Sequence, residues 1–270
     1  MTAKKILVPI DFTKLSDKVI EQAAILGAAS GADLVLLHCI SPSADLATIR
    51  VKLAEKAIKA SVKYNVTCDS KVLEGSIFKS IPAEAEQNEY LLMVIGTHGV
   101  KGLKQKLLGA DILKLITKVP VPTLVVQSTS LFRTSFDKII LPVATHLAYD
   151  NILQAVVTIG KLFNSEVHIY SIERPGFKSP EQLKKNLQRT SSLFEENGIK
   201  HIRVNEKQTV LSIGFAIQTL QYAKKTGADM IAIMSVSSEE YHYFAQQDKE
   251  NLLTNEDGLP VLSACNLTKE

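Results

Sequence analysis

Two stretches of this chain repeat one another, and the repeat limits the folds open to it. Residues 5–11 read KILVPID and residues 138–144 read KIILPVA. The offset is 133 residues, and it runs without gaps through the next two elements. Asp17, Val19, Ile20, Gly27 and Leu34 fall on Asp150, Ile152, Leu153, Gly160 and Val167. Further on the offset becomes 138, where LLMVIGTHG (91–99) falls on DMIAIMSVS (229–237) and PTLVV (122–126) on PVLSA (260–264). A repeat this long is one small domain duplicated, not a solenoid unit. At 270 residues the chain has room for two such domains. The spacing predicts domains at 1–129 and 135–270, with the junction in SLFRTSF, residues 130–136.

Each copy alternates short apolar runs with helical spacing. In the first, the predicted strands are Ile6–Ile10, Leu34–Ile40, Val66–Leu73, Leu91–Gly96 and Thr123–Gln127. The predicted helices are Asp17–Ala29, Ala44–Tyr64, Ile77–Asn88 and Asp111–Thr117, with Gly27 and Gly31 near the end of the first. Such alternation implies an α/β fold with a parallel sheet covered on both faces and right-handed crossovers. Aromatics are only 6% and Trp is absent, so Val, Ile, Leu and Ala must fill the core, as suits buried parallel strands. Ligands of such sheets bind beyond the carboxyl ends of the strands, where strand order reverses.

One segment offers chemistry at that end: GTHGVKGLKQKLLGADI, residues 96–112. Glycines at 96, 99 and 109 let backbone approach an anion, consecutive amides form a nest, and a helix starting at Gly109 adds free N–H groups. The plain alternative is that Gly96 ends a strand and Gly109 caps a helix. Lys101, Lys104 and Lys106 either support a phosphate site or form a solvated face.

The segment resembles the universal stress protein family, whose nucleotide-binding members carry G-x-x-G, nine residues, then G followed by Ser or Thr. Here the match is Gly96, Gly99, Gly109 and then Ala110, flanked by VIGTHG, LLG and VPVPTLVV; KILVPIDF with Ser16 and the strand ending LLHCI match the opening. The resemblance covers nearly all of residues 1–127 and, more weakly, 135–265. It implies two tandem five-stranded, parallel, doubly wound domains of the adenine nucleotide alpha hydrolase-like type. It also implies an intrachain pseudo-dimer, in which Thr123–Gln127 meets Pro260–Cys265, and a possible homodimer of whole chains. By position, Asp11 with Pro9 and Ile10 would face adenine and ribose. Cys39 would offer backbone to the adenine edge, Ile95 and Gly96 would line the ribose, and His98 and Gly99 would sit near the phosphates. Gly109, Ala110, Asp111 and Ile112 would present a helix N-terminus to them.

Two departures bear on the ligand. Ala110 lacks the family's hydroxyl, which should weaken phosphate binding by roughly 1–3 kcal/mol. Asp111 brings a carboxylate that either repels a phosphate or holds a metal ion such as Mg. ATP, ADP and AMP therefore all stand as ligands. The resemblance implies a non-catalytic, nucleotide-dependent regulator or binding protein, of a family named for the stress response. A slow metal-dependent ATPase using Asp11 and Asp111, and a scaffold in which both sites have decayed, are the alternatives. In the second copy Asp11 becomes Ala144, Gly96 Met234, Gly99 Ser237 and Gly109 Gln247, so the nucleotide is expected in the first copy only.

Other features point away from rival classes. The net charge of +3, from 31 basic and 28 acidic residues, gives no polyanion-binding stripe, so no nucleic acid is expected. No apolar stretch has the length of a membrane span, and the N-terminal run is too short for a signal peptide, so the expected location is cytoplasmic. Cys39, Cys68 and Cys265 are too few and too scattered for a disulfide framework or zinc site. His98 has no visible nucleophile–base set around it, and His168, His201 and His242 lack metal-ligand spacing. EEYHYF, 239–244, reads as a polar loop. There is no S-G-G-x-D-S loop, no H-I-G-H pair and no G-x-x-x-x-G-K-[ST].

Overall fold

The computed structural model describes residues 4–97, 109–145, 147–173, 180–207, 215–235 and 246–265. The first half runs β1 (Lys5–Pro9), α1 (Lys14–Ser30), β2 (Asp33–Ile40), α2 (Leu46–Tyr64), β3 (Cys68–Glu74), α3 (Ile77–Gln87), β4 (Tyr90–Thr97), α4 (Gly109–Ile116) and β5 (Thr123–Gln127). The second half repeats the order as β6 (Lys138–Pro142), α5 (Asp150–Phe163), β7 (Glu166–Glu173), α6 (Glu181–Glu196), β8 (Lys200–Lys207), α7 (Phe215–Thr226), β9 (Met230–Met234), α8 (Gln246–Leu253) and β10 (Val261–Ala264).

All ten strands form one sheet in the order β3-β2-β1-β4-β5-β10-β9-β6-β7-β8. Pairing is parallel everywhere except at its centre, where β5 and β10 run antiparallel with Val125 opposite Val261 and Thr123 opposite Ser263. The strand meeting that the family resemblance implies is therefore present. Helices cover both faces. Leu26 of α1, Leu53 of α2, Leu153 of α5 and Phe194 of α6 share one buried core. Ile81 of α3, Ile112 of α4, Ala223 of α7 and Leu252 of α8 share the other. Alternation along the strands supplies both: Ile6 and Val8 point into the first core and Leu7 into the second.

The halves are tied at several points. Gln127 Nε2 donates to the Leu253 carbonyl (3.1 Å), and Cys265 Sγ donates to the Val119 carbonyl (3.0 Å). Arg133 in the junction pairs with Asp229, whose other oxygen accepts the Lys138 amide at 3.0 Å. The structure moves one predicted boundary appreciably. α1 begins at Lys14, one turn before the apolar spacing starts, because Asp11 organises its entry: Thr13 N donates to Asp11 Oδ1 (3.0 Å), and Ser16 N donates to the Thr13 carbonyl (3.0 Å). Among the described residues, no helix is long and apolar enough to cross a membrane.

Candidate functional site

The chain leaves β1 for β2 and β3 on one side, then returns to β4 and β5 on the other, so strand order reverses between β1 and β4. Beyond the carboxyl ends of these strands lies a cavity of about 520 Å³. Its walls come from five elements: Pro9, Ile10 and Asp11 at the end of β1, Leu15, Ser16 and Val19 on α1, Cys39 on β2, Ile77, Phe78 and Ile81 on α3, and Ile95 and Gly96 on β4. Asp111 of α4 completes it. The volume falls in the range of about 300–1,000 Å³ usual for small-molecule sites, and the lining is mostly apolar with a few polar groups, as such sites generally are.

The polar groups have defined partners. Asp11 Oδ1 accepts from Thr13 N (3.0 Å), Thr13 Oγ1 (2.6 Å) and Ser16 Oγ (2.8 Å), while the Asp11 amide donates to Ser16 Oγ at 3.2 Å. These bonds hold the β1–α1 turn, in which Phe12 adopts a left-handed backbone with φ 61°. Phe12 in turn lies under Lys52 Nζ, 4.4 Å from its ring centre. His38 on β2 uses Nδ1 to contact the Ile10 carbonyl at 2.8 Å and so pins β2 to the tip of β1. Lys114 Nζ stands 5.0 Å from the ring centre of Phe78 on the cavity wall. Burial pushes the Cys39 thiol up to about 11, so the sulfur facing the cavity stays protonated at neutral pH.

Pro9, Ile10, Asp11, Cys39, Ile95, Gly96 and Asp111 thus line one hollow. Gly109 and the exposed Ala110 open α4 immediately before Asp111. Ile112 buries its side chain completely in the core under α4, leaving only its backbone for any ligand. His98, Gly99, Lys101, Lys104 and Lys106 lie outside the described residues, as does the 239–244 stretch.

Close packing, not an unusual backbone, requires two of these glycines. Neither Gly96 nor Gly109 has positive φ. Gly96 is a β4 strand residue, not a turn, and a Cβ on it would sit 2.7 Å from Leu15 Cδ2 and 2.9 Å from Val19 Cγ2. Its missing side chain is what lets α1 lie close on β4. A Cβ on Gly109 would meet Glu250 Cβ at 3.1 Å and Thr254 Cγ2 at 3.2 Å, so this glycine admits α8 against α4. The sequence reading also missed the wall given by α3. Ile77 and Ile81 are spaced four apart on one helix face, and that was the available signal.

The second half fills the corresponding positions differently. Ser16 falls on Tyr149, which is 1% exposed and whose hydroxyl donates to the Asn186 carbonyl at 2.9 Å and lies 3.1 Å from Thr190 Oγ1. Asp11 falls on Ala144, whose carbonyl accepts from Asn186 Nδ2 at 2.7 Å. Asp111 falls on Lys249, 1% exposed, its ammonium pushed down to about 8 by burial.

Residues 2–127 match the model of the universal stress protein family. The first half of the chain is therefore a domain of the universal stress protein family. The chain's tandem character rests on the internal repeat and on full-length likeness to a solved universal stress protein from Archaeoglobus fulgidus DSM 4304. That likeness has a TM-score of 0.73 at 16% identity and covers 98% of this chain and 99% of that one. A functionally unknown protein from Pseudomonas aeruginosa PAO1 is similar too, with TM-score 0.64, 16% identity and 98% and 93% covered. The cytoplasmic domain of a prokaryotic cation chloride cotransporter has a TM-score of 0.54 at 10% identity, covering 97% and 95%. At these identities the likeness is one of fold, and the universal stress fold thus also occurs inside a transporter protein. No curated protein matches the chain.

Proposed function

We propose that this universal stress protein is a non-catalytic regulator that binds an adenine nucleotide in its first half. The carrying observation is the cavity at the β1/β4 switch, whose lining holds the residues that the family pattern assigns to base and ribose. Ile10, Ile77, Phe78 and Ile95 offer apolar walls for a purine. Asp11 offers a carboxylate acceptor for ribose hydroxyls or the adenine amine. The free N–H groups of Ala110, Asp111 and Ile112 at the start of α4, with His98 and Gly99, would take the phosphates. Ala110 and the carboxylate of Asp111 disfavour a long polyphosphate without a metal ion, so AMP and ADP compete with ATP. The units are 1–129 and 135–270, paired within one chain in the cytoplasm. Replacement of Asp11, Gly96, Gly109 and Asp111 by Ala144, Met234, Gln247 and Lys249 leaves the second unit as a partner that steadies the first.

The test is native mass spectrometry of the purified protein, followed by thermal unfolding with 1 mM ATP, ADP or AMP. A ligand at 100 times its Kd adds about 2.7 kcal/mol to stability. Protein free of nucleotide and unmoved by all three would sink the proposal. A second reading, slow metal-dependent hydrolysis, is favoured by one fact: Asp11 and Asp111 line the same cavity. Both are hard oxygen ligands of the kind Mg²⁺ takes. Turnover of ATP that requires Mg²⁺ and disappears in Asp111→Ala would establish it; turnover indifferent to that change would remove it.

A further inference from the structure

The strand order reads alike from either edge of the sheet, so each place beside the β5–β10 joint has a counterpart across it. On one side the chain itself fills that place. The residues after β5 run as a strap between α1 and the start of β9. Lys18 Nζ donates to the Ser128 and Ser130 carbonyls (2.7 and 3.0 Å), Gln22 Nε2 donates to the Arg133 carbonyl (3.2 Å), and Arg133 pairs with Asp229. Gly258, with φ 65°, lets the strap pass, since a Cβ there would sit 2.5 Å from the Thr129 carbonyl carbon. Ser130 is buried in this strap, while Leu131 and Phe132 stand 72% and 54% exposed. On the other side of the joint the same place is a groove of about 230 Å³ between α5 and the starts of β4 and β5. The repeat sets Asn151 there for Lys18, Ala155 for Gln22, Leu91 for Asp229, Pro120 for Gly258 and Cys265 for Gln127. Charged grips on the filled side thus correspond to an apolar wall of Leu91, Pro120 and Pro122 on this one.

We propose that residues 266–270, NLTKE, lie along this groove as a second strap, the counterpart of the first. Cys265 already leads into it. Asn151 Nδ2 donates to the Cys265 carbonyl at 2.7 Å, as Lys18 does to that of Ser128, and Cys265 itself lines the groove. The 138-residue offset that sets β5 on β10 continues into the segment. It places Thr268 on Ser130, the buried hydroxyl that accepts from the Gln127 amide at 2.9 Å, and Lys269 and Glu270 on the two exposed residues. A hydroxyl inside and solvated side chains beyond it is therefore the pattern of both straps. Leu267 falls on Thr129. Pro120, standing for Gly258, keeps the backbone here from lying as close as that of Thr129, and the room so left suits a side chain. Leu267 alone of the five is apolar, and it takes Leu91, Pro120 and Pro122 out of water. The groove lies at the starts of β4 and β5, away from the cavity beyond their carboxyl ends, so the strap does not depend on the nucleotide reading.

Iodoacetamide labelling of Cys265, followed by peptide mass spectrometry, reads whether the groove is covered, and a thermal scan reads what the cover contributes. A chain ending at Asn266 and the full chain with Leu267→Asp should both label at Cys265 about fivefold faster than the wild type or more, with Cys39 and Cys68 unchanged. Both should unfold about 2–6 °C lower, as loss of one partly buried leucine predicts. Lys269→Ala should change neither reading. The melting losses of Leu267→Ala and Leu91→Ala should overlap when the two are combined, because the residues touch. Labelling of Cys265 as fast in the wild type as in the shortened chain overturns the proposal. So does an equal response to Lys269→Ala and Leu267→Asp, and so do fully additive losses at 91 and 267.

Discussion

An alanine at position 96 would set its methyl group 2.7 Å from Leu15 Cδ2, 2.8 Å from Leu15 Cγ and 2.9 Å from Val19 Cγ2. Carbon atoms ordinarily rest about 3.5–4.0 Å apart, so all three contacts are overlaps. The Gly96 backbone is ordinary strand, and the strain is steric alone. Leu15 has rotamers to try, but Val19 is β-branched and stiff in a helix. Relief therefore comes from α1 lifting off β4 or from Leu15 turning into the cavity it lines. Overpacking of this kind costs about 1–3 kcal/mol. For a chain of this size each kcal/mol is worth roughly 2–4 °C, so Gly96→Ala should unfold about 2–12 °C below the wild type in a ligand-free thermal scan followed by circular dichroism. The same scan on Gly109→Ala supplies the contrast. Its nearest contacts are looser, at 3.1–3.2 Å, and alanine in a helix gains about 0.5–1 kcal/mol over glycine, so that variant should stay within ~1 kcal/mol of the wild type. An unchanged or raised melting temperature for Gly96→Ala, or a larger loss for Gly109→Ala, would refute the packing account of these glycines.

Asp11→Ala removes the acceptor of three hydrogen bonds in the β1–α1 turn and should cost about 1–2 kcal/mol in a urea titration, whereas Asp11→Asn, which keeps an acceptor oxygen, should cost less than half as much. Lys249, with its folded pKa lowered to about 8 from 10.5, binds fewer protons folded than unfolded between those values, so its contribution to stability rises with pH there. Unfolding of wild type and Lys249→Met compared at pH 7.5 and 10.5 should accordingly shift toward the wild type by up to about 3 kcal/mol; a constant difference would contradict the burial of that ammonium. Cys39 and Cys68, raised to about 11 and about 12, should react with iodoacetamide at pH 8 far more slowly than a free thiol, as read by intact-mass spectrometry, and a ligand in the cavity should slow Cys39 further and leave Cys68 unchanged.

The sheet was legible because its strands are apolar runs cut by strong punctuation. Pro9–Asp11 closes β1, Gly31 closes α1 with a left-handed backbone, and the 133- and 138-residue offsets relate every strand of one half to one of the other. The β5–β10 pairing is a long-range contact that no local pattern encodes; it came from the duplication and the family's habit of pairing. The strand-tip wall of the cavity was visible in Asp11 and Ile95 because strand tips in a doubly wound sheet converge by topology. What escaped was packing. Whether Gly96 is bare for a ligand or for Leu15 and Val19 depends on how closely α1 rides on β4, and that is a three-dimensional fact. The α3 wall escaped for the same reason: Ile77 and Ile81 share a helix face, and only the folded packing of α3 brings them to the cavity.

The two halves show what one fold can do with the same place. The tip of β1 in the first half carries a carboxylate held by Thr13 and Ser16 and looks onto a hollow of about 520 Å³. In the second half the repeat brings a tyrosine to the serine position and buries it to 1%, with its hydroxyl bonded to α6 and Arg189 Cζ 5.4 Å from its ring centre. A tyrosine buries about 150–250 Å² of surface, so this exchange converts open volume into packing. Binding and packing make opposite demands: a hollow forgoes dispersion contacts so that a ligand can make them, and a filled site takes them permanently. Two separate chains of identical sequence must make the same choice twice. Fused in one chain and joined by β5 and β10, the halves are free to choose differently, one held open beside Asp11 and the other closed around Tyr149.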